Sequence, residues 1–239
     1  MTDGWAESAQ AWIASQGDEG DFGRRFVLDG PMTARVAALG PATALDVGCG
    51  EGRFCRVMQA MGVATVGVDP TAALVDRARA LDPHGDYRIG RAEALDFPDA
   101  AFDLVVSYLT LIDIPDIRAA IPEMARVLKP GGVLLVANLT SFNSAGQGDE
   151  RLGSSYDADG RFRFAIDGYL EPRAQTVEWG GIRIVNWHRP LETYMQLLLG
   201  AGLTMTWFAE PAPTGGDPVI VDRYRRAPWF HVMEWRKAG

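Results

Sequence analysis

The chain has 239 residues, 47% of them hydrophobic, with 31 Asp and Glu against 23 Lys and Arg and a formal net charge of −8 at pH 7. That length can bury a sizeable core as one domain, and no apolar run approaches the roughly 20 residues a membrane helix needs. Lys and Arg form no basic stripe of the kind a nucleic-acid binder carries, so the expected partner is a small molecule rather than nucleic acid or membrane.

The N-terminal stretch is acidic and carries no Lys or Arg before Arg24. It fits neither a signal nor a transit peptide, and a cytoplasmic location is the expectation. Cys49 and Cys55 are the only cysteines, and His84, His188 and His231 lie far apart. Neither a disulfide framework nor a metal site is expected.

Apolar runs alternate with helical patterns up to about residue 140, which predicts a parallel α/β sheet. TALDVG (43–48) reads as the first strand, and after the glycines Phe54, Val57, Met58 and Met61 keep helical spacing. ATVGVD (64–69) is the second strand, YRIG (87–90) a third, FDLVVSYL (102–109) a fourth and VLLVANL (133–139) a fifth, with helices near 72–81 and 117–128. Residues 140–152, rich in Ser, Gly, Asn and Asp, read as a mobile loop. RFRFAIDGYL, AQTVEW and IRIVNW then read as short antiparallel strands of an insertion. Pro190 opens a last helix, and LTMTWFAEP and WFHVMEWRK close the chain as strands, with a Pro- and Gly-rich connection between them. The organisation expected is a single domain of residues 1–239. It comprises a helical lid segment (1–40), a cofactor-binding core (41–139), an inserted substrate cap (140–189), and a last helix with closing strands (190–239).

The stretch LDVGCGEGRF (45–54) joins a strand to a helix start through Gly48, Gly50 and Gly52. Such a turn aims unpaired backbone N–H groups at a ligand. A dinucleotide fingerprint needs a third glycine where Arg53 stands, and Asp46 would repel a pyrophosphate. A ligand with an ammonium group, a ribose and no phosphate suits these residues better. With VGVD ending at Asp69, RAEAL (91–95), FDLVVSYLTLIDIPD and RVLKPGGVLLVAN following in order, residues 40–140 resemble the class I S-adenosylmethionine-dependent methyltransferases. NWHRPLETYMQLLLGAGL and MEWRK are similar to bacterial small-molecule members.

The resemblance implies a Rossmann-like, seven-stranded, mostly parallel sheet whose last hairpin is antiparallel, with helices on both faces and the β insertion after the fifth strand. It implies S-adenosylmethionine as cofactor and S-adenosylhomocysteine as product. By position, Asp46, Gly48 and Gly50 would hold the methionine part and Asp69 the ribose hydroxyls. Ala92 and Glu93 would border the adenine, with Ser107 and Tyr108 beneath the sulfonium.

An activated methyl group needs mainly an aligned acceptor and exclusion of water, but a hydroxyl or ammonium acceptor must also lose a proton. His188 and Asp113 are the candidates for that step, and Tyr108 is placed to touch the reacting groups. His188 could instead pack at a helix entry, Asp113 could be a turn residue, and Asp69 could simply cap a helix. Trp5, Trp12 and Phe22, with the aromatics between 156 and 187, suggest a lid over the acceptor, or else a satellite core or a dimer surface, and monomer and homodimer both stay open. Three function classes remain: N- or O-methylation of a small acceptor, non-catalytic binding of the same cofactor, and an NAD-dependent oxidoreductase.

Overall fold

The computed structural model describes residues 3–17 and 19–239. In chain order the elements are α1 (Trp5–Gln16), a π-helical turn (Arg24–Leu28), α2 (Asp29–Leu39), β1 (Thr43–Val47), α3 (Arg53–Ala60), β2 (Ala64–Asp69), α4 (Ala72–Leu81), β3 (Asp86–Ile89), β4 (Phe102–Tyr108), α5 (Ile117–Val127) and β5 (Leu128–Leu139). They continue with α6 (Ser141–Ser144), β6 (Gly153–Tyr156), β7 (Phe162–Ala165), β8 (Arg173–Trp179), β9 (Ile182–His188), α7 (Leu191–Gly200), β10 (Leu203–Ala209), α8 (Pro218–Arg226) and β11 (Phe230–Lys237).

The main sheet has seven strands in the order β10-β11-β5-β4-β1-β2-β3. β1 pairs in parallel with both β2 and β4, and β11 runs antiparallel to β5 and to β10. The expected mostly parallel, Rossmann-like sheet is therefore the one formed. Its central strands are apolar on both faces because helices cover both: Leu45, Leu104, Val105, Leu134 and Leu135 are wholly buried. After β1 the chain winds outward through β2 and β3, then returns to lay β4 on the other side of β1. The carboxyl ends of β1 and β4 thus flank the point where strand order reverses, which is where open α/β sheets hold their ligands.

Three expectations are corrected. The 140–152 stretch is not a featureless loop, because Thr140 Oγ1 accepts from the Asn143 N–H at 3.0 Å and starts α6, burying Ser141, Asn143 and Ser144. The insertion is two separate hairpins, β6–β7 and β8–β9, the first using a strand at 153–156 that its polar sequence hides. The helix after Pro190 is not the last: Asp217 accepts from Val219 N–H at 2.8 Å and, with Pro218 in the first turn, opens α8. No helix of the described residues is long and apolar enough to cross a membrane.

Candidate active site

The loop after β1 is tied to the second strand before any ligand is considered. Gly48 and Cys49 donate to Val68 O at 2.7 and 3.1 Å. Gly50 N–H donates to Asp69 Oδ2 at 3.0 Å, and Thr71 N–H to Asp69 Oδ1 at 2.8 Å. Asp69 thus ties down Thr71, the residue before α4, and braces the glycine turn. Each of its oxygens keeps acceptor capacity for a further donor. Burial is the main influence on its acidity and pushes its pKa up, against the two backbone donors.

The glycines are required partly by the protein itself. Gly48 has φ +76°, and a Cβ there would stand 2.2 Å from the Thr110 side chain. Gly52 has φ +75°, with the Tyr87 ring 2.5 Å from where its Cβ would be. Larger residues would meet both a strained backbone and a filled space.

The loop after β4 closes over this turn. Leu109 takes a left-handed φ of +60°, an uncommon conformation for a branched residue that tends to mark functional sites. It redirects the chain so that Thr110 reaches Gly48. The loop is held from above: Trp187 N–H donates to Ile112 O at 2.7 Å, and the buried Arg189 guanidinium donates to the carbonyls of Leu111, Ile114 and Pro115 at 2.6–3.1 Å. Sequence reading missed Arg189 because nothing local marks an arginine whose partners are carbonyls 74–78 residues away.

Together these loops form a groove at the switch point, lined by Gly48, Gly50, Asp69, Ala92, Glu93 and Tyr108 among others. Asp46 lines a small recess continuous with it, sharing Gly48, Gly50, Trp12 and Arg24. Asp46 is 1% exposed and its Oδ1 has no hydrogen-bond partner among the described residues. Burial raises its pKa to about 7, opposed by the Cys55 thiol at 3.6 Å and reinforced by the charge of Asp69. A buried carboxylate oxygen without a donor, beside a glycine cradle, matches a ligand that brings an ammonium group. Arg24 also lines the recess, stacked 5.6 Å from the Trp12 ring centre and 5.8 Å from that of Tyr108, and paired with Asp21 at 2.6 Å.

A second, larger cavity of about 960 Å³ adjoins the groove and shares Trp5, Trp12, Arg24, Leu109 and Asp113 with it. Asp113 therefore faces both spaces. Its Oδ1 is buried without a partner, and burial first, then the charge of Asp69, lifts its pKa well above the carboxylate range.

Three expected site residues stand elsewhere or are committed. His188 is wholly buried outside both cavities, its Nδ1 2.8 Å from Ser144 Oγ and its Nε2 2.9 Å from Tyr169 O, so it cannot reach an acceptor. Ser107 is wholly buried in β4 and does not line the groove. Tyr108 does line it, but its hydroxyl donates to Asp29 Oδ1 at 2.8 Å, and burial raises its pKa, which removes it as a proton acceptor. Asp29 in turn holds Arg53 at 2.5 Å, fastening α2 to α3.

The methyltransferase domain family matches residues 45–136. A malonyl-[acyl-carrier protein] O-methyltransferase of Yersinia pestis is 34% identical over 145 residues, 60% of this chain and 52% of that protein. A ubiquinone biosynthesis O-methyltransferase of a Bradyrhizobium strain is 36% identical over 99 residues, 40% of this chain and 39% of that one. The chain thus spans about half or less of the length of these curated relatives. The crystal structure of an S-adenosylmethionine-dependent methyltransferase from Mesorhizobium loti superposes with a TM-score of 0.80 at 25% identity, covering 92% of this chain and all of that one.

Proposed function

We propose, for a chain whose residues 45–136 belong to the methyltransferase domain family, that it transfers a methyl group from S-adenosylmethionine to a small-molecule acceptor. The observation that carries this reading is that two neighbouring spaces share Trp12 and Asp113 in their linings. A cofactor groove alone would serve a binding protein; a groove and a larger cavity meeting at an unpartnered carboxylate suit a two-substrate reaction.

The residues present fit the cofactor. Asp46 would take the methionine ammonium, Arg24 its carboxylate, Asp69 the ribose hydroxyls, and Ala92 and Glu93 would border the adenine. When bound, the cofactor supplies an electrophilic methyl group whose bonding electrons return to sulfur as the acceptor's lone pair attacks. Trp12 and Leu109 wall the junction and exclude water there. Asp113, with its unpartnered Oδ1 and its place in the lining of both spaces, is the side chain positioned to accept the acceptor's proton. Arg189 positions Asp113 by gripping the carbonyls on both sides of it. We assign residues 140–189 as the cap over the acceptor and the N-terminal helices as its second wall, in a monomer or homodimer of the cytoplasm.

The relatives named as O-methyltransferases support oxygen as the acceptor atom. Melting in the presence of S-adenosylhomocysteine or NAD tests the reading. A ligand at 100 times its Kd adds about 2.7 kcal/mol, a rise of roughly 5–10 °C for a domain of this size. The rise is expected with S-adenosylhomocysteine alone and is lost in Asp69→Ala. A rise with NAD alone would overturn it.

A further inference from the structure

Among the described residues, one arginine lining the acceptor cavity is in no salt bridge. Arg223, on α8, lines the large cavity but not the cofactor groove. Its Nε is buried and has no hydrogen-bond partner among the described residues. Asp222, its neighbour in sequence, pairs with Arg226 at 2.7 Å, and Asp21, which lines the same cavity, pairs with Arg24 at 2.6 Å. A buried guanidinium N–H without an acceptor is costly, and native structures tolerate one where a ligand supplies the acceptor.

Its surroundings are aromatic and flat. The Arg223 guanidinium lies 5.2 Å from the Trp229 ring centre and 5.9 Å from that of Tyr224. Those two rings are stacked at 4.5 Å with only 15° between their planes, and Phe22 packs on Tyr224 at 4.9 Å. The platform is anchored, since Trp229 Nε1 donates to Arg223 O at 3.3 Å and Trp229 O accepts from Thr140 N–H at 3.0 Å. Tyr224 and Trp229 both line the cavity. An aromatic wall beside a guanidinium fork matches an aromatic molecule that ends in a carboxylate.

The rest of the lining sets the charge of that molecule. Asp149, Glu150 and Glu178 stand around the same cavity, and of its other arginines Arg24 is paired with Asp21 and Arg183 with Glu178. One arginine unpaired among the described residues, beside several acids, suits a monoanion and opposes a phosphate dianion. Asn186, 5% exposed with an unpartnered Oδ1, also lines this space and offers a neutral acceptor for a ring hydroxyl.

We infer that Arg223 with the Tyr224–Trp229 platform is a carboxylate-recognition subsite, and that the methyl acceptor is a planar conjugated hydroxy acid bound with its carboxylate on Arg223 and a hydroxyl toward Asp113. This identification of the acceptor class rests on the methyl-transfer reading above. In the transfer the acceptor oxygen forms its bond to the methyl carbon as the carbon–sulfur bond breaks, the electron pair goes to sulfur, and the hydroxyl proton goes to Asp113.

The test compares matched acids and amides. 3,4-Dihydroxybenzoate and 4-hydroxycinnamate, each beside its own amide, are titrated calorimetrically into the protein with and without saturating S-adenosylhomocysteine. The acids should bind the wild type about 10- to 100-fold more tightly than the amides, the range of a charge-assisted hydrogen bond. Arg223→Gln should abolish that preference by weakening the acids while the amides hold their affinity. Arg223→Lys, which keeps the charge and loses the fork, should retain part of it. An unaltered melting rise with S-adenosylhomocysteine shows that a variant is folded, and if Arg223→Gln is not, an unchanged acid affinity in Arg223→Lys overturns the subsite. Equal affinity for acid and amide in the wild type, a preference that survives Arg223→Gln, or no binding of either acid at millimolar concentration also overturns it. Absence of the S-adenosylhomocysteine rise in the wild type would instead overturn the methyl-transfer reading, while the acid preference measured without it still judges the subsite.

Discussion

Asp46 offers a prediction in which stability and binding move in opposite directions. Its carboxyl is buried, lacks a partner for Oδ1, and has its pKa raised from 3.8 to about 7. Between those two values the folded protein holds a proton that the unfolded chain has released, so stability falls as pH rises through this window. At 1.36 kcal/mol per pH unit the interval of about 3 units makes the ionised group cost up to about 4 kcal/mol above pH 7, but only about 1.6 kcal/mol at pH 5. Asp46→Asn removes the charge and leaves a buried amide, itself worth about 1–3 kcal/mol of desolvation. The ligand-free variant should therefore be about 1–3 kcal/mol more stable than wild type at pH 8, and no more stable at pH 5. At roughly 2–4 °C per kcal/mol, melting curves at the two pH values resolve this. In the same samples the affinity for S-adenosylhomocysteine should fall about 10- to 100-fold, because the ammonium loses a charged acceptor. A variant destabilised equally at both pH values would refute the reasoning, since Asp46 would then be ionised and satisfied without a ligand.

The remaining predictions concern the residues beside it. Asp113→Asn should lower kcat by about 10²- to 10⁴-fold, the usual contribution of a positioned base, with S-adenosylhomocysteine affinity within about threefold of wild type by calorimetry; an unchanged kcat removes Asp113 from the proton path. Tyr108→Phe loses the bond to Asp29 and should cost about 1 kcal/mol in denaturant unfolding, while turnover survives at pH 7 and 9 alike; loss of activity would return the hydroxyl to the chemistry. Gly48→Ala faces both a left-handed φ and the Thr110 side chain, and should reduce S-adenosylhomocysteine binding more than Gly62→Ala, which meets no neighbour at a similar φ. Replacing residues 142–187 with a short linker should abolish turnover and also weaken S-adenosylhomocysteine binding, because it removes the Trp187 hold on the 111–115 loop and the Ile182 and Ile184 bed of Trp12; unchanged turnover would reject the cap.

The sheet was legible because its strands carry their own signals. β1, β4 and β5 are apolar runs broken by glycine or proline, and helices at 53–60 and 117–127 keep a stripe at helical spacing. Asp46 and Asp69 were legible as candidates for a related reason, since they sit at or near strand ends a fixed step from the glycine turn. The acceptor side was not. Arg24, Arg189 and Arg223 belong to three segments that meet only through tertiary packing, and none has a local pattern separating it from a solvated arginine. His188 drew attention as a histidine between the insertion and the helix after Pro190. Its neighbours decide the matter: Trp187 and Arg189 grip the 111–115 loop, and between them the imidazole turns inward to Ser144 and Tyr169.

That arrangement explains why a fold with a common cofactor half can acquire a particular acceptor half. The glycine turn, Asp69 and the loop after β4 brace one another through short backbone contacts, so this half tolerates little change. The β8–β9 hairpin reaches the same loop from outside through Trp187 and Arg189, while α8 and α1 supply the opposite walls of the large cavity. None of these walls contributes a strand to the main sheet. The hydrogen bonding of the main sheet does not run through them, and the grip on the Asp113 loop is made to backbone carbonyls rather than to side chains, so that loop keeps its place whichever side chains line the large cavity.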